Sequence, residues 1–276
     1  MRVICVVDDA VQRSSPYWGE HGLAFLIEAE GRRVLFDTGQ SGTVLLHNLG
    51  LLGVDPQTVD ALAISHGHYD HTGGLPALVE RLRPGTALYA NPDLFRERFS
   101  RREGRVRSIG PSLTEEALAA RLTLNLSAKP QEILPGLWTT GEILKRPEAE
   151  GKSDYHLMRE GKALVADAYL DDMALVFTMG DHLVLLCGCC HAGLLNTLAH
   201  VEHIFEQPTS IVAGGLHLTS ATAQNLQHVG QVLMSMSALR RVYPNHCTGE
   251  AAFVALTRIL GPSVVQPCPV GAVLEF

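Results

Sequence analysis

Ser65-His66-Gly67-His68-Tyr69-Asp70-His71-Thr72-Gly73-Gly74 is the stretch that decides this chain. Four potential metal ligands, His66, His68, Asp70 and His71, fall within six residues. They follow directly on a short apolar run, Ala61-Leu62-Ala63-Ile64, that reads as a strand. Ligands gather at such a place because a rigid strand holds the loop while the backbone turns freely. His66 and His68 alternate, so an extended segment points them the same way, and Asp70 and His71 reach a second position. Imidazole with carboxylate suits zinc, iron or manganese rather than calcium or magnesium. Gly67, Gly73 and Gly74 permit tight backbone turns.

Working outward, the first third alternates in an α/β manner. Val3–Val7 reads as a strand, and Leu23–Ala29 and Arg33–Phe36 as a hairpin about Glu30-Gly31-Arg32. Gly42–Leu52 and Leu75–Leu82 read as helices and Thr86–Ala90 as a strand. Residues 95–165 are richer in charge and broken by Pro111, Pro130, Pro135 and Pro147; they read as an inserted region with helices near Asp93–Phe99 and Thr114–Leu122. The α/β rhythm then resumes, with strands at Ala174–Thr178, Leu183–Cys187 and Ser210–Ala213. Helices follow at Leu194–Phe205, Ala221–Met236 and Ala251–Leu260.

The bulk numbers narrow the classes. A chain of 276 residues with 46% hydrophobic and 18% charged residues is globular and long enough for a sizeable core. A net charge of −7 argues against general nucleic-acid binding. No run approaches the roughly 20 apolar residues of a membrane span, and acids follow Val3–Val7 at once, unlike a signal peptide. The expectation is therefore a cytoplasmic protein with no membrane partner. Three of the six cysteines crowd into Cys187-Gly188-Cys189-Cys190, which fits reduced thiols better than disulfides. Oligomeric state is not legible.

The decisive stretch, with Leu35-Phe36-Asp37-Thr38-Gly39 upstream, resembles the signature of the metallo-β-lactamase superfamily. Glu20-His21-Gly22-Leu23, Thr140-Gly141-Glu142-Ile143, Cys187 to Gly193, Gly214-Gly215-Leu216-His217-Leu218 and Asn245-His246-Cys247-Thr248-Gly249 resemble one branch of it. That branch is the 7,8-dihydropterin-6-methyl-4-(β-D-ribofuranosyl)aminobenzene 5′-phosphate synthase-like metallohydrolases. The resemblance implies a single αββα sandwich domain, with residues 95–165 as a substrate cover. It implies two divalent ions, zinc first and iron or manganese as alternatives. It adds His191 and His246 as ligands, giving one position held by His66, His68 and His191 and another by Asp70, His71 and His246. Asp70 would also orient the metal-activated water.

The chain departs from the superfamily where an aspartate usually bridges the metals. Asp172, Cys189 or water alone are the candidates for that place. His217, at a strand end, reads as substrate-facing or as orienting a ligand, against a purely structural role. His21 reads in the same way, and Asp37 as holding the histidine loop by hydrogen bonds. Six arginines against two glutamates between Phe95 and Arg107 reverse the charge of an acidic chain. Arg101 and Arg102 there are candidates for binding an anionic substrate, against a solvated helix face with local ion pairs. The expected function is a metal-dependent hydrolase of a phosphorylated small molecule. The alternatives are a thioester, lactone or β-lactam hydrolase, or a non-catalytic metal-binding effector.

Overall fold

The computed structural model describes residues 1–276. The chain condenses into two compact units. The first takes Met1–Ala128, Lys152–Asp171 and Pro269–Phe276; the second takes Lys129–Gly151 and Asp172–Cys268. The architecture is α/β in both.

The first unit is built on a seven-stranded sheet, in the order Val273–Glu275, Arg2–Val7, Ala24–Ala29, Arg32–Phe36, Ala61–Ala63, Ala87–Ala90, Thr123–Leu126. The hairpin at its centre turns on Glu30 and Gly31, both with positive φ, the primed turn whose twist matches the flanking strands. From Arg32–Phe36 onward the strands run parallel, with Phe36 beside Ala63 and Ala63 beside Tyr89. Asp37 and Ser65 therefore leave neighbouring strands at the same carboxyl edge. The helix Gly42–Leu51 starts at Ser41, whose hydroxyl accepts from the Val44 N–H, and buries Leu45 and Leu49 against the sheet.

The second unit carries a six-stranded sheet, in the order Arg241–Asn245, Thr209–Gly215, His182–Cys187, Ala174–Met179, Leu137–Thr139, Glu132–Leu134. Its first three strands are parallel, with Cys187 beside Gly214 and Gly215 beside Asn245. Helices Leu194–Phe205, Ala223–Ser235 and Glu250–Leu260 pack around a core of Leu185, Val212, Val229, Val242 and Leu256.

Residues 95–165, read from the sequence as one inserted region, are divided among three sheets. Thr123–Leu126 closes the edge of the seven-stranded sheet, and Glu132–Leu134 with Leu137–Thr139 closes the edge of the six-stranded one. The rest forms a four-stranded sheet of the first unit, in the order Ala163–Ala166, His156–Glu160, Arg98–Arg102, Arg105–Ser108. The helix expected near Asp93–Phe99 is a single 3-10 turn, Pro92–Phe95, followed at once by strand. Proline at the first position and the Asn91 cap start that turn. Glu103 and Gly104, with φ of 50° and 75°, then make the tight turn of a hairpin, so the arginine-rich stretch is β and not a helix face. The helix expected over Thr114–Leu122 spans Glu115–Ala119. No helix is long and apolar enough to cross a membrane.

Candidate metal centre

In the first unit the predicted ligands converge on the carboxyl edge of the parallel strands. Asp37 sits there with a left-handed φ of 60°, a conformation a non-glycine residue holds only under surrounding constraint. The constraint is visible. Its Oδ1 accepts from the Ser65 N–H at 2.7 Å, and its Oδ2 accepts from the Ser65 hydroxyl at 2.7 Å and faces His71 Nδ1 at 2.7 Å. The Thr38 amide and hydroxyl both donate to the His71 carbonyl at 2.8 Å. With Nδ1 facing a carboxylate, His71 presents Nε2 as its ligand atom, the arrangement by which a carboxylate orients an imidazole and raises its basicity.

His66 Nδ1 lies 2.9 Å from the Ser65 hydroxyl, and His66 Nε2 lies 3.0 Å from His68 Nδ1. Two nitrogens on one tetrahedral ion stand roughly 3.3 Å apart for metal–nitrogen bonds of about 2.05 Å. The pair therefore fits a divalent ion with only a small adjustment. Burial holds the His68 imidazole well below its usual range, against the pull of Asp70, and His156, Arg98 and His71 add to the lowering. A histidine kept neutral is one ready to ligate. Asp70, on the short helix Tyr69–Thr72, places Oδ2 3.3 Å from His21 Nε2 and 3.8 Å from His71 Nε2. His21 is half exposed, and its Nδ1 lies 3.0 Å from Asp9.

A buried network supports this loop from below. Arg98, wholly buried, donates Nε to Asp167 at 3.0 Å and Nη2 to Asp93 at 2.9 Å, and pairs with Asp171 at 2.7 Å. Asp171 in turn accepts the Gly67 N–H at 2.6 Å. Burial pushes the Asp171 carboxyl up to about 7, against the opposing pull of Arg98. The His68 ring lies 5.0 Å from His156 and 5.9 Å from Tyr169, and the Tyr169 hydroxyl meets His156 Nδ1 at 3.0 Å. The sequence marks Arg98 only as one of six arginines and does not mark Asp167, His156 or Tyr169 at all. Their only signal was residue type, and their partners lie far along the chain.

Gly67 leaves no room for a side chain. A Cβ there would overlap the Leu94 carbonyl oxygen and press on the Arg98 guanidinium. Gly67→Ala is expected to cost about 1–3 kcal/mol through overpacking and backbone displacement. Thermal unfolding should show the loss, whereas Gly31→Ala, where a Cβ meets nothing within 4 Å, isolates the cost of positive φ alone.

In the second unit, His191 is buried and its Nδ1 donates to the Gly151 carbonyl at 2.7 Å. That bond sets the tautomer and leaves the Nε2 lone pair for a ligand. His217 stacks on His191 with ring centroids 4.3 Å apart. Both His217 and His246 take left-handed φ, 46° and 47°. Asp172 accepts the Ala192 N–H at 2.8 Å, and burial pushes its carboxyl up to about 6. The ligand atoms of Cys189, His217 and Cys247 lie within 4.8 Å of one another. Burial would raise the Cys247 thiol, but Cys189, His246 and His217 outweigh it and hold the thiol well below its usual range. Burial likewise would lower His217, and Cys247 more than offsets it, for a net rise.

Arg101 and Arg102 lie exposed on the hairpin of the four-stranded sheet. The Arg102 guanidinium stacks 3.8 Å from the Tyr155 ring, and the Arg107 guanidinium lies 5.8 Å from the ring of Tyr69, the residue before Asp70. The Tyr69 amide donates to the Ile109 carbonyl at 2.8 Å, just past this hairpin. The basic strand pair is thus joined to the histidine loop.

Comparison with known proteins agrees with this geometry. A family model described as the metallo-beta-lactamase superfamily matches residues 17–189. A 7,8-dihydropterin-6-methyl-4-(beta-D-ribofuranosyl)-aminobenzene-5′-phosphate synthase of Methanocaldococcus jannaschii is 29% identical over 264 residues, 91% of this chain and 89% of that protein. An uncharacterized protein of the same organism is 30% identical over 243 residues, 88% of this chain and 90% of that one. The crystal structure of Tm1679, a metal-dependent hydrolase of the beta-lactamase superfamily, superposes with a TM-score of 0.84 at 27% identity, covering 100% of this chain and 99% of that one.

Proposed function

Because this chain belongs to the metallo-β-lactamase superfamily, we propose that it is a metal-dependent hydrolase of a phosphorylated small molecule. The observation that carries the reading is the pairing of His66 Nε2 with His68 Nδ1 at 3.0 Å, beside a His71 oriented by Asp37. The short nitrogen–nitrogen approach and the carboxylate-oriented ring support a ligand set over a packing arrangement of histidines. The proposed ligands within the first unit are His66, His68, Asp70 and His71, and within the second His191 and His246; the ions are divalent and of the zinc class. When bound, such ions supply Lewis-acid polarisation and a nucleophile at neutral pH.

The chain's own residues do the rest. Asp37 and the Gly151 carbonyl hold His71 and His191 in fixed tautomers. Asp70, between His21 and His71, takes up a proton from the attacking water. Arg101 and Arg102 gather the anionic group. The phosphate in the name of the Methanocaldococcus relative supports a phosphorylated substrate. That relative is a synthase, so bond formation on a phosphorylated pterin precursor is the second reading. Six free cysteines suit a reducing, cytoplasmic setting.

The test is a panel of phosphoesters, thioesters, lactones and a phosphorylated pterin precursor, given to metal-loaded protein with product analysis. The expected result is release of alcohol or phosphate from a phosphoester. An Arg101→Ala, Arg102→Ala variant should then show a KM raised roughly tenfold or more, since a charge-assisted contact is worth about 1.5–3 kcal/mol. The difference should shrink with added salt. Turnover of uncharged esters alone, or equal KM values for the two proteins, would overturn the phosphate reading.

A further inference from the structure

Three neighbouring parallel strands of the second unit end at Cys187, Gly215 and Asn245. Their registers pair Cys187 with Gly214 and Gly215 with Asn245. Two residues past each strand end stand Cys189, His217 and Cys247 in turn. The same offset from three strands in register brings all three side chains to one place on the sheet edge. Their sulfur and nitrogen atoms fall within 4.8 Å of one another. Main-chain bonds tie the place together, with the His217 N–H directed to Cys247 Sγ at 3.3 Å and Cys247 Sγ 3.7 Å from the Cys189 carbonyl. Gly215 admits the sulfur, for a Cβ there would overlap both the Gly188 carbonyl and Cys247 Sγ.

We infer that Cys189, Cys247 and His217 bind a soft divalent ion through sulfur. Two thiolates and an imidazole are a donor set that selects zinc and its soft analogues over magnesium or calcium. Ligand atoms on one such ion stand roughly 3.3–3.8 Å apart, for bonds of about 2.1 Å to nitrogen and 2.3 Å to sulfur. The observed spread, within 4.8 Å, closes to that by changes in separation of about 1–1.5 Å at most. Two of the three cysteines packed into Cys187-Gly188-Cys189-Cys190 face elsewhere in this account: Cys187 and Cys190 pack with the apolar core of the unit, and Cys189 does not. Sulfur ligation goes beyond the proposed histidine–aspartate ligands but rests on that reading for the divalent ion, since the Cys189 sulfur also lies within 4.8 Å of ligand atoms of His191 and His246.

The experiment loads the full-length protein with cobalt(II) and, separately, with zinc(II). The expected cobalt spectrum has a near-ultraviolet sulfur-to-cobalt charge-transfer band. That band should fall by about half in Cys189→Ser or Cys247→Ser and vanish in the double variant, with circular dichroism confirming the fold. X-ray absorption of the zinc-loaded wild type, which needs no variant, should show sulfur neighbours at about 2.3 Å. Cobalt ligand-field bands with no sulfur band, or a zinc shell of nitrogen and oxygen alone, would overturn sulfur ligation while leaving the histidine centre standing. A sulfur band unchanged in the double variant would overturn the assignment to these two cysteines.

Discussion

Asp70→Asn is expected to lower turnover by about 10²–10⁴-fold, the range a positioned proton acceptor contributes, with the fold intact. The carboxylate is nearly buried, and its Oδ2 is the one oxygen shown near both His21 Nε2, at 3.3 Å, and His71 Nε2, at 3.8 Å. An amide has the same shape, and the backbone role of Asp70, accepting from Leu23 N–H at 3.3 Å, is untouched. What disappears is the charge that can ligate and the oxygen that can take a proton. Steady-state kinetics on any substrate that the wild type turns over is the measurement, with thermal unfolding alongside. Near wild-type kcat would remove Asp70 from the chemistry. A large fall in melting temperature would instead mean that the side chain is structural.

Arg98→Met carries the largest expected cost in stability. The guanidinium meets three carboxylates, Asp93, Asp167 and Asp171, the last two essentially inaccessible, and of the three only Asp93 has a second cation recorded against it, Arg96. Removing one partner of a buried ionic network costs about 3–5 kcal/mol because the charges left behind have lost their hydration. For a chain of this length that corresponds to a melting temperature lower by on the order of 10 °C. The loss should grow as pH rises. Burial already pushes Asp171 up to about 7, and without Arg98 it moves further up. A carboxyl whose folded value exceeds its unfolded one stabilises the fold at low pH. That stability fades as pH rises from about 4 through the folded value. Melting curves of wild type and variant should therefore diverge as pH rises past about 7. Parallel curves would show that the network is not charged as drawn. Because Asp171 also holds the Gly67 amide, the same variant should loosen the His66–His68 pair and weaken metal retention.

These two residues differ in how far the sequence disclosed them. Asp70 lies inside a ten-residue stretch whose ligand spacing needs no partner to be noticed. Arg98 was one of six similar arginines, all attributed to a basic surface. Only Arg98 turned inward, because only there do carboxylates 69 and more residues distant arrive to neutralise it. The hairpin about Glu103-Gly104 was missed for a related reason. Its strands are not self-sufficient: Arg98–Arg102 pairs with His156–Glu160 on one side and Arg105–Ser108 on the other, which local propensity does not announce.

By itself the sequence determined what is local. Outside residues 95–165 it set the order of strands and helices, the turn at Glu30-Gly31, the histidine loop at a strand end, and the placing of His191, His217 and His246 just beyond later strands. Short-range periodicity and turn chemistry act within a few residues and survive in any context. Tertiary structure alone decided what depends on register between distant strands. It drew residues 95–165 into three sheets, chose Arg98 as the buried cation, seated His156 beside His68, and brought Cys247 to Cys189 across 58 residues. A one-residue slip between neighbouring strands would turn Arg98 and His156 to the opposite face and misalign the strand ends that carry Cys189 and Cys247. Their meeting is therefore a property of the packed sheets, whose cores bury the alternate faces and hold the registers in place.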